Sequence, residues 1–149
     1  MTLPYENATS GERALGEIQK LLRAFGCMKF GSMSDDEAKE ILIQFEYRGR
    51  AVSVKASIRG YAAAWLKEHP YGSRTRGSLI DHQRKAMDIA SIAVYSILRD
   101  WIKGQVTAIE TGILTFEGAF LGQILLGSGR TVLEHAVESN MLPQLEAPK

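Results

Sequence analysis

The chain has 149 residues, 45% hydrophobic and 23% charged, a composition that excludes disorder and suits one globular domain able to bury a core without disulfides or a structural metal. A net charge of +1 points to no partner, and the single cysteine, Cys27, excludes an intrachain disulfide and suits a reducing compartment. The first residues lack the basic and apolar regions of a secretory signal, and the most apolar stretch, 86–98, is too short and too polar to span a bilayer, so a cytoplasmic protein with no membrane association is expected.

In chain order, residues 1–8 read as a loose tail. Thr9 and Glu12 have capping-box spacing, and Ala14, Leu15, Ile18, Leu21, Leu22 and Phe25 recur at helical intervals as far as Gly26, a natural stop. This predicts an amphipathic helix over about 10–25. Further on, Ile41, Ile43, Phe45 and Tyr47 alternate with Leu42, Gln44 and Glu46; beyond Arg48 and Gly49, Val52, Val54, Ala56 and Ile58 alternate with Ser53, Lys55 and Ser57. A period of two on both arms predicts a hairpin with one buried and one wet face. Two strands alone are marginal in water, and residues 27–33 offer a third, joined through the acidic turn 34–37. A competing reading makes 34–39 a short capped helix; three strands is the favoured reading.

Residues 60–69 read as a short helix ended by Pro70, with Tyr61, Ala64, Trp65 and Leu66 inward, followed by a basic, turn-rich loop over 70–77. Ser78 and Asp81 can cap a long helix that carries Ala86, Ala90, Ala93, Val94, Ile97, Leu98 and Trp101 on one side. Gly104 is placed to bend or end it, with helix resuming at Val106, Ala108 and Ile109 until Gly112. Phe116, Phe120, Leu121, Ile124 and Leu125 form another apolar set, read as helical although Gly118 and Gly122 weaken it. A turn at 127–129, a short helix over 132–139 capped by Thr131 and Glu134, and a second tail over 141–149 complete the chain. The fold class is α+β, one domain over 1–149: an N-terminal helix, a small antiparallel sheet of two or three strands, and a mostly helical C-terminal half.

Helix, three strands, helix is also the order of the double-stranded RNA-binding domain. That family's basic cluster at the start of its second helix is replaced here by Gly60-Tyr61-Ala62-Ala63-Ala64, so the likeness stops at the fold. The phrases Phe45-Glu-Tyr-Arg-Gly-Arg50, Gly60-Tyr-Ala-Ala-Ala-Trp-Leu66, Asp100-Trp-Ile-Lys-Gly-Gln105 and Gly112-Ile-Leu-Thr-Phe-Glu-Gly-Ala-Phe120 resemble segments of small uncharacterised phage and prophage proteins. The resemblance implies an accessory role in a virus or mobile element and carries over no functional residue.

Catalytic patterns are weak. Gly122 to Ser128 mimics a phosphate loop but lacks the lysine that such a loop needs after its second glycine. His69, His82 and His135 are scattered, each read as a surface or helix-end residue, and no cofactor or metal is expected. Cys27 reads as a small core residue, with a Cys–His pair as the sharper alternative. Glu110 and Glu117, seven apart in an apolar region, could act as acid and base, but helix ends in water are the simpler reading.

The strongest lead is electrostatic. Nine basic residues lie within 48–85, opposed only by Glu68 and Asp81. Arg48 and Arg50 bracket the hairpin tip, Lys55 lies on the wet strand face, Arg74 and Arg76 sit in the loop, and Arg84 and Lys85 begin the long helix. Gathered on one face, they would contact phosphates, with Tyr47 and Tyr71 available to stack on bases. The expectation is a non-catalytic binding protein that uses this segment on nucleic acid or an acidic protein surface. Alternatives are a phage-type accessory protein or inhibitor acting through its helical half, and a small enzyme of unknown reaction. The alanine stripe of the long helix either packs inside the monomer or serves a homodimer.

Overall fold

A computed structural model describes residues 2–144. Helix α1 (Gly11–Phe25) starts at Ser10, whose hydroxyl accepts the Arg13 amide, so the cap falls one residue later than Thr9. It stops at Gly26, which takes the left-handed φ of 114° that only glycine adopts cheaply. Ala14, Ile18 and Leu22 are its buried stripe.

Strands β1 (Lys29–Asp35), β2 (Glu40–Tyr47) and β3 (Arg50–Ser57) form an antiparallel sheet in the order β1-β2-β3. The register sets Ile43 opposite Val54 and Phe45 opposite Val52, which puts the apolar positions of the hairpin on one face against the helices. Arg48 and Gly49 both have positive φ, 48° and 78°, as a two-residue hairpin turn of matching twist requires. The competing helix over 34–39 does not form. β1 continues through Ser34 and Asp35, and the Asp35 carboxylate accepts the Glu37 and Ala38 amides to close the turn.

Helix α2 (Ile58–Glu68) follows β3 directly, capped by Ser57. It begins two residues earlier than its sequence pattern indicates, which makes Ile58, Ala62 and Trp65 the buried set and leaves Ala64 exposed. Helix α3 (Leu79–Glu110) runs unbroken for 32 residues from a Ser78–Asp81 capping box. Gly104 neither bends nor ends it. The buried neighbours Ile102 and Val106 anchor the helix on both sides, and burial of each outweighs the roughly 1 kcal/mol that glycine costs a helix. Ala86, Ala90 and Ala93 are fully buried, so this stripe is spent inside the monomer. No helix among the described residues is long and apolar enough to cross a membrane.

The C-terminal half departs from its sequence pattern. Helix α4 (Phe116–Phe120) makes barely one turn, followed by a 3-10 turn at Leu121–Gln123. Ile124 and Leu125, expected to continue a helix, instead pair with the free edge of β3: Ile124 bridges to Val52, and the Leu125 amide donates to the Ala51 carbonyl at 2.8 Å. Gly118 and Gly122 weaken the helix while an open strand edge offers backbone partners, and the edge wins. Helix α5 (Val132–Glu138) is closed by a Thr131–Glu134 capping box and buries none of its residues.

Nor are residues 3–8 loose. The Tyr61 hydroxyl donates to the Pro4 carbonyl at 2.7 Å, the Tyr5 hydroxyl to Asp100 at 2.6 Å, and Leu3 packs on the core. Of the second predicted tail, 145–149 lies outside the described residues.

Candidate binding surfaces

The long α3 axis decides where the basic residues go. Tyr47, Arg48 and Arg50 line one small hollow with Ile109, Phe116 and Glu117, so the hairpin tip sits against the last turn of α3. Arg84 and Lys85 occupy its second turn. Lys85 and Ile109 are about 36 Å apart at the rise of an α-helix. The hairpin-tip arginines and the Arg84–Lys85 pair of the segment 48–85 therefore do not share one face.

The two groups differ in how free their charges are. At the tip, Arg50 pairs with Glu117 at 3.4 Å and the Arg48 guanidinium lies 5.1 Å over the Tyr47 ring. Tyr47 itself is stacked on Phe25 at 4.3 Å and touches Phe116, so it is engaged in the core edge and not available to a base. Lys55 faces outward from β3 beside Glu134. The Thr131 amide and hydroxyl hold that carboxyl below the ordinary glutamate range, and Lys55 adds to the effect. Arg59 donates to the Glu37 and Ala38 carbonyls.

At the other end the cations are exposed; the Ser78 amide and hydroxyl hold the Asp81 carboxyl below the ordinary aspartate value, and Arg84 adds only a longer-range pull on it. Arg74 and Arg76 project from a loop closed by the Gly72 amide on the Thr75 hydroxyl (3.0 Å) and the Tyr71 hydroxyl on the Gly77 carbonyl (3.1 Å). Lys67 ends α2 nearby, and the Lys85 ammonium lies 6.0 Å from the Trp65 ring, at the outer limit of a cation–π contact. Among the described residues, none of Lys67, Arg74, Arg76, Arg84 and Lys85 forms an ion pair. Tyr71 beside them is 44% exposed, enough to offer one ring face.

The fold also brings together groups that are far apart in sequence. His82 is buried, not a surface residue; its Nε2 lies 2.6 Å from the His69 carbonyl oxygen. Both histidine rings pack on Trp65, at 4.5 and 5.2 Å. His69 Nε2 meets the Glu6 carboxylate at 3.2 Å. Burial works to raise the Glu6 pKa, but the Leu3 amide and the His69 imidazole outweigh it and hold the group below the ordinary glutamate value. The Trp65 indole N–H lies near the same carboxylate without reaching a normal hydrogen bond. This is a clasp that ties residues 3–8 to the α2–α3 junction. No group of three or more metal-ligating side chains occurs among the described residues.

The remaining chemical candidates fall into place as packing or surface. Cys27 is buried, and desolvation pushes its thiol up to about 11, away from nucleophilic character. Glu110 is exposed at the end of α3, and Glu117 is the partner of Arg50. Gly122 lies inside a 3-10 turn rather than after a strand, the wrong setting for a phosphate loop.

Two cavities of about 500 and 510 Å³ lie along the seam between α1 and α3 and share Glu17 and Arg99. The helices run parallel there: Gly11 abuts Tyr95, and Glu17 bonds Arg99. Arg99 donates to Asp100 at 2.9 Å and to Glu17 at 3.3 Å, and Arg13 reaches the other Glu17 oxygen at 3.4 Å. Sequence periodicity places Arg99 on the solvated side of α3. Its role as a bridge to α1 depends on a contact across 82 residues.

No family model matches the chain, and no curated protein or solved structure is significantly similar to it.

Proposed function

We propose that the protein is a cytoplasmic, non-catalytic binding protein that takes nucleic acid on the cationic end of α3. The observation that carries this reading is the set Lys67, Arg74, Arg76, Arg84 and Lys85: five exposed cations around one helix end, none in an ion pair among the described residues. Unpaired cations contact phosphates without first giving up a protein partner. Tyr71 adds a stacking surface of the kind single-strand binders use. Arg48 and Arg50, at the far end of α3, and Lys55, on β3 beside Glu134, take no part in this version of the site.

Fluorescence anisotropy with a labelled oligonucleotide tests it. Neutralising about five phosphates gives a slope of log affinity against log salt of roughly −3.5 for a single strand and −4.5 for a duplex. A flat salt response, or no saturable binding at low ionic strength, removes the reading. Binding to polyglutamate but to no oligonucleotide transfers it to an acidic protein surface.

A second reading, protein–protein binding through the helical half, is favoured by α5. Leu133 and Val137 share one face of that helix at 49% and 60% exposure, and Met141 and Leu142 extend the apolar surface. This would suit a homodimer or an accessory protein of the phage type. Light scattering on the purified chain distinguishes the two: a dimer that Leu133→Glu with Val137→Glu converts to monomer supports self-association, and a monomer throughout leaves only a foreign partner for this face.

A further inference from the structure

We propose that the α1–α3 cavity lined by Lys20, Leu21, Ala24 and Lys103 is a binding trough for a small organic anion with an apolar body, such as a medium-chain carboxylate or an aryl sulfonate. Helix α1 contributes Glu17, Lys20, Leu21 and Ala24, the i, i+3, i+4, i+7 stripe of one helical face. Helix α3 contributes Arg99, Asp100 and Lys103. At about 510 Å³ the space lies within the range of small-molecule sites.

Charge sets the sign of the ligand. Three cations face two carboxylates, and both carboxylates are already engaged. Glu17 accepts from Arg99 and forms an ion pair with Arg13. Asp100 accepts from Arg99 and from the Tyr5 hydroxyl, and these two hydrogen bonds hold its carboxyl below the ordinary aspartate value, with Lys103 adding a longer-range pull. Neither Lys20 nor Lys103 forms an ion pair among the described residues. A cationic ligand would meet three positive groups and find no open carboxylate, whereas an anion finds two free ammonium groups and a guanidinium already fixed in place. That fixing matters because an oriented donor loses little freedom when a ligand arrives.

The floor sets the rest of the chemistry. Leu21 is half-buried and Ala24 exposed between the lysines, and the lysine stems extend the apolar wall beneath their charged heads. A bare inorganic anion would leave this floor wet, whereas an apolar body covers it. The trough is independent of the nucleic-acid surface: Lys103 stands about 27 Å along α3 from Lys85.

The test uses 8-anilinonaphthalene-1-sulfonate, followed by fluorescence, with decanoate and decanol as competitors. Saturable 1:1 binding, displaced by decanoate and not by decanol, is the expected result. Lys20→Glu with Lys103→Glu should weaken it by about tenfold or more. Both lysines are exposed, so the variant keeps its fold, and an unchanged far-ultraviolet circular dichroism spectrum and melting curve verify this. In a parallel ¹H–¹⁵N titration with decanoate, shifted amides should cluster within 17–24 and 99–103. Non-saturable dye binding, equal displacement by decanol, unchanged affinity in the double variant, or shifts centred elsewhere would each overturn the proposal.

Discussion

Phe120→Ala is expected to lower the unfolding free energy by about 3–5 kcal/mol, read as a fall in urea midpoint at constant slope. The ring is fully buried and makes edge or tilted contacts with Phe45, Trp101 and Phe116 at 5.4, 5.6 and 5.5 Å. These partners belong to β2, α3 and α4, so one side chain joins the sheet to the long helix and to the turn that follows it. Removing it forfeits the transfer energy of the ring and leaves a cavity that three separate elements cannot all move to fill. The neighbouring Leu121 is 54% exposed, and Leu121→Ala should stay within about 0.5 kcal/mol of the parent. A loss below about 1.5 kcal/mol for Phe120→Ala would mean that the C-terminal half is not packed on the sheet in this way.

The elements that were legible in the sequence are those whose periodicity is long and self-consistent. α1 shows an unbroken stripe from Ala14 to Phe25, the β2–β3 hairpin shows alternation on both arms, and α3 shows alanines and aliphatics at helical spacing after a capping box. What was not legible depends on contacts distant in sequence. Ile124 and Leu125 leave a helical pattern because β3 has an open edge, and nothing local to them announces that edge. Residues 3–8 look like a tail because their anchors, Tyr61, His69 and Asp100, lie some 55 to 95 residues away.

The binding residues divide in the same way. Charge density over 48–85 was plain, but nearness along the chain does not imply nearness in space. α3 runs about 48 Å, long enough to hold the hairpin tip at one end and the α2–α3 loop at the other. The trough was invisible because its two walls come from helices that each read as an ordinary solvated face. Only their parallel pairing turns Lys20 and Lys103 into opposite rims.

That separation yields the sharpest comparison of variants. Arg74→Glu, Arg76→Glu and Arg84→Glu together should weaken oligonucleotide binding by about 100-fold or more at moderate salt and reduce the magnitude of the salt slope by about 2 for a single strand and about 2.7 for a duplex. Arg48→Glu with Arg50→Glu should change affinity by no more than about threefold, since these charges act only as a distant field beyond the screening length. Neither set threatens the fold. Arg74, Arg76 and Arg84 make no ion pair among the described residues, and the Arg50–Glu117 pair is exposed, a class that contributes at most about 1 kcal/mol. The reverse ranking, with the hairpin-tip variant losing more than the loop variant, would relocate the nucleic-acid surface to the other end of α3. Equal and large losses from both sets would require a ligand long enough to follow the whole helix, which an oligonucleotide shorter than the roughly 36 Å between the two groups cannot do. Repeating the titration with such a short strand therefore separates a local site from an extended one: a local site at the start of α3 keeps its ranking, and an extended one loses affinity with length.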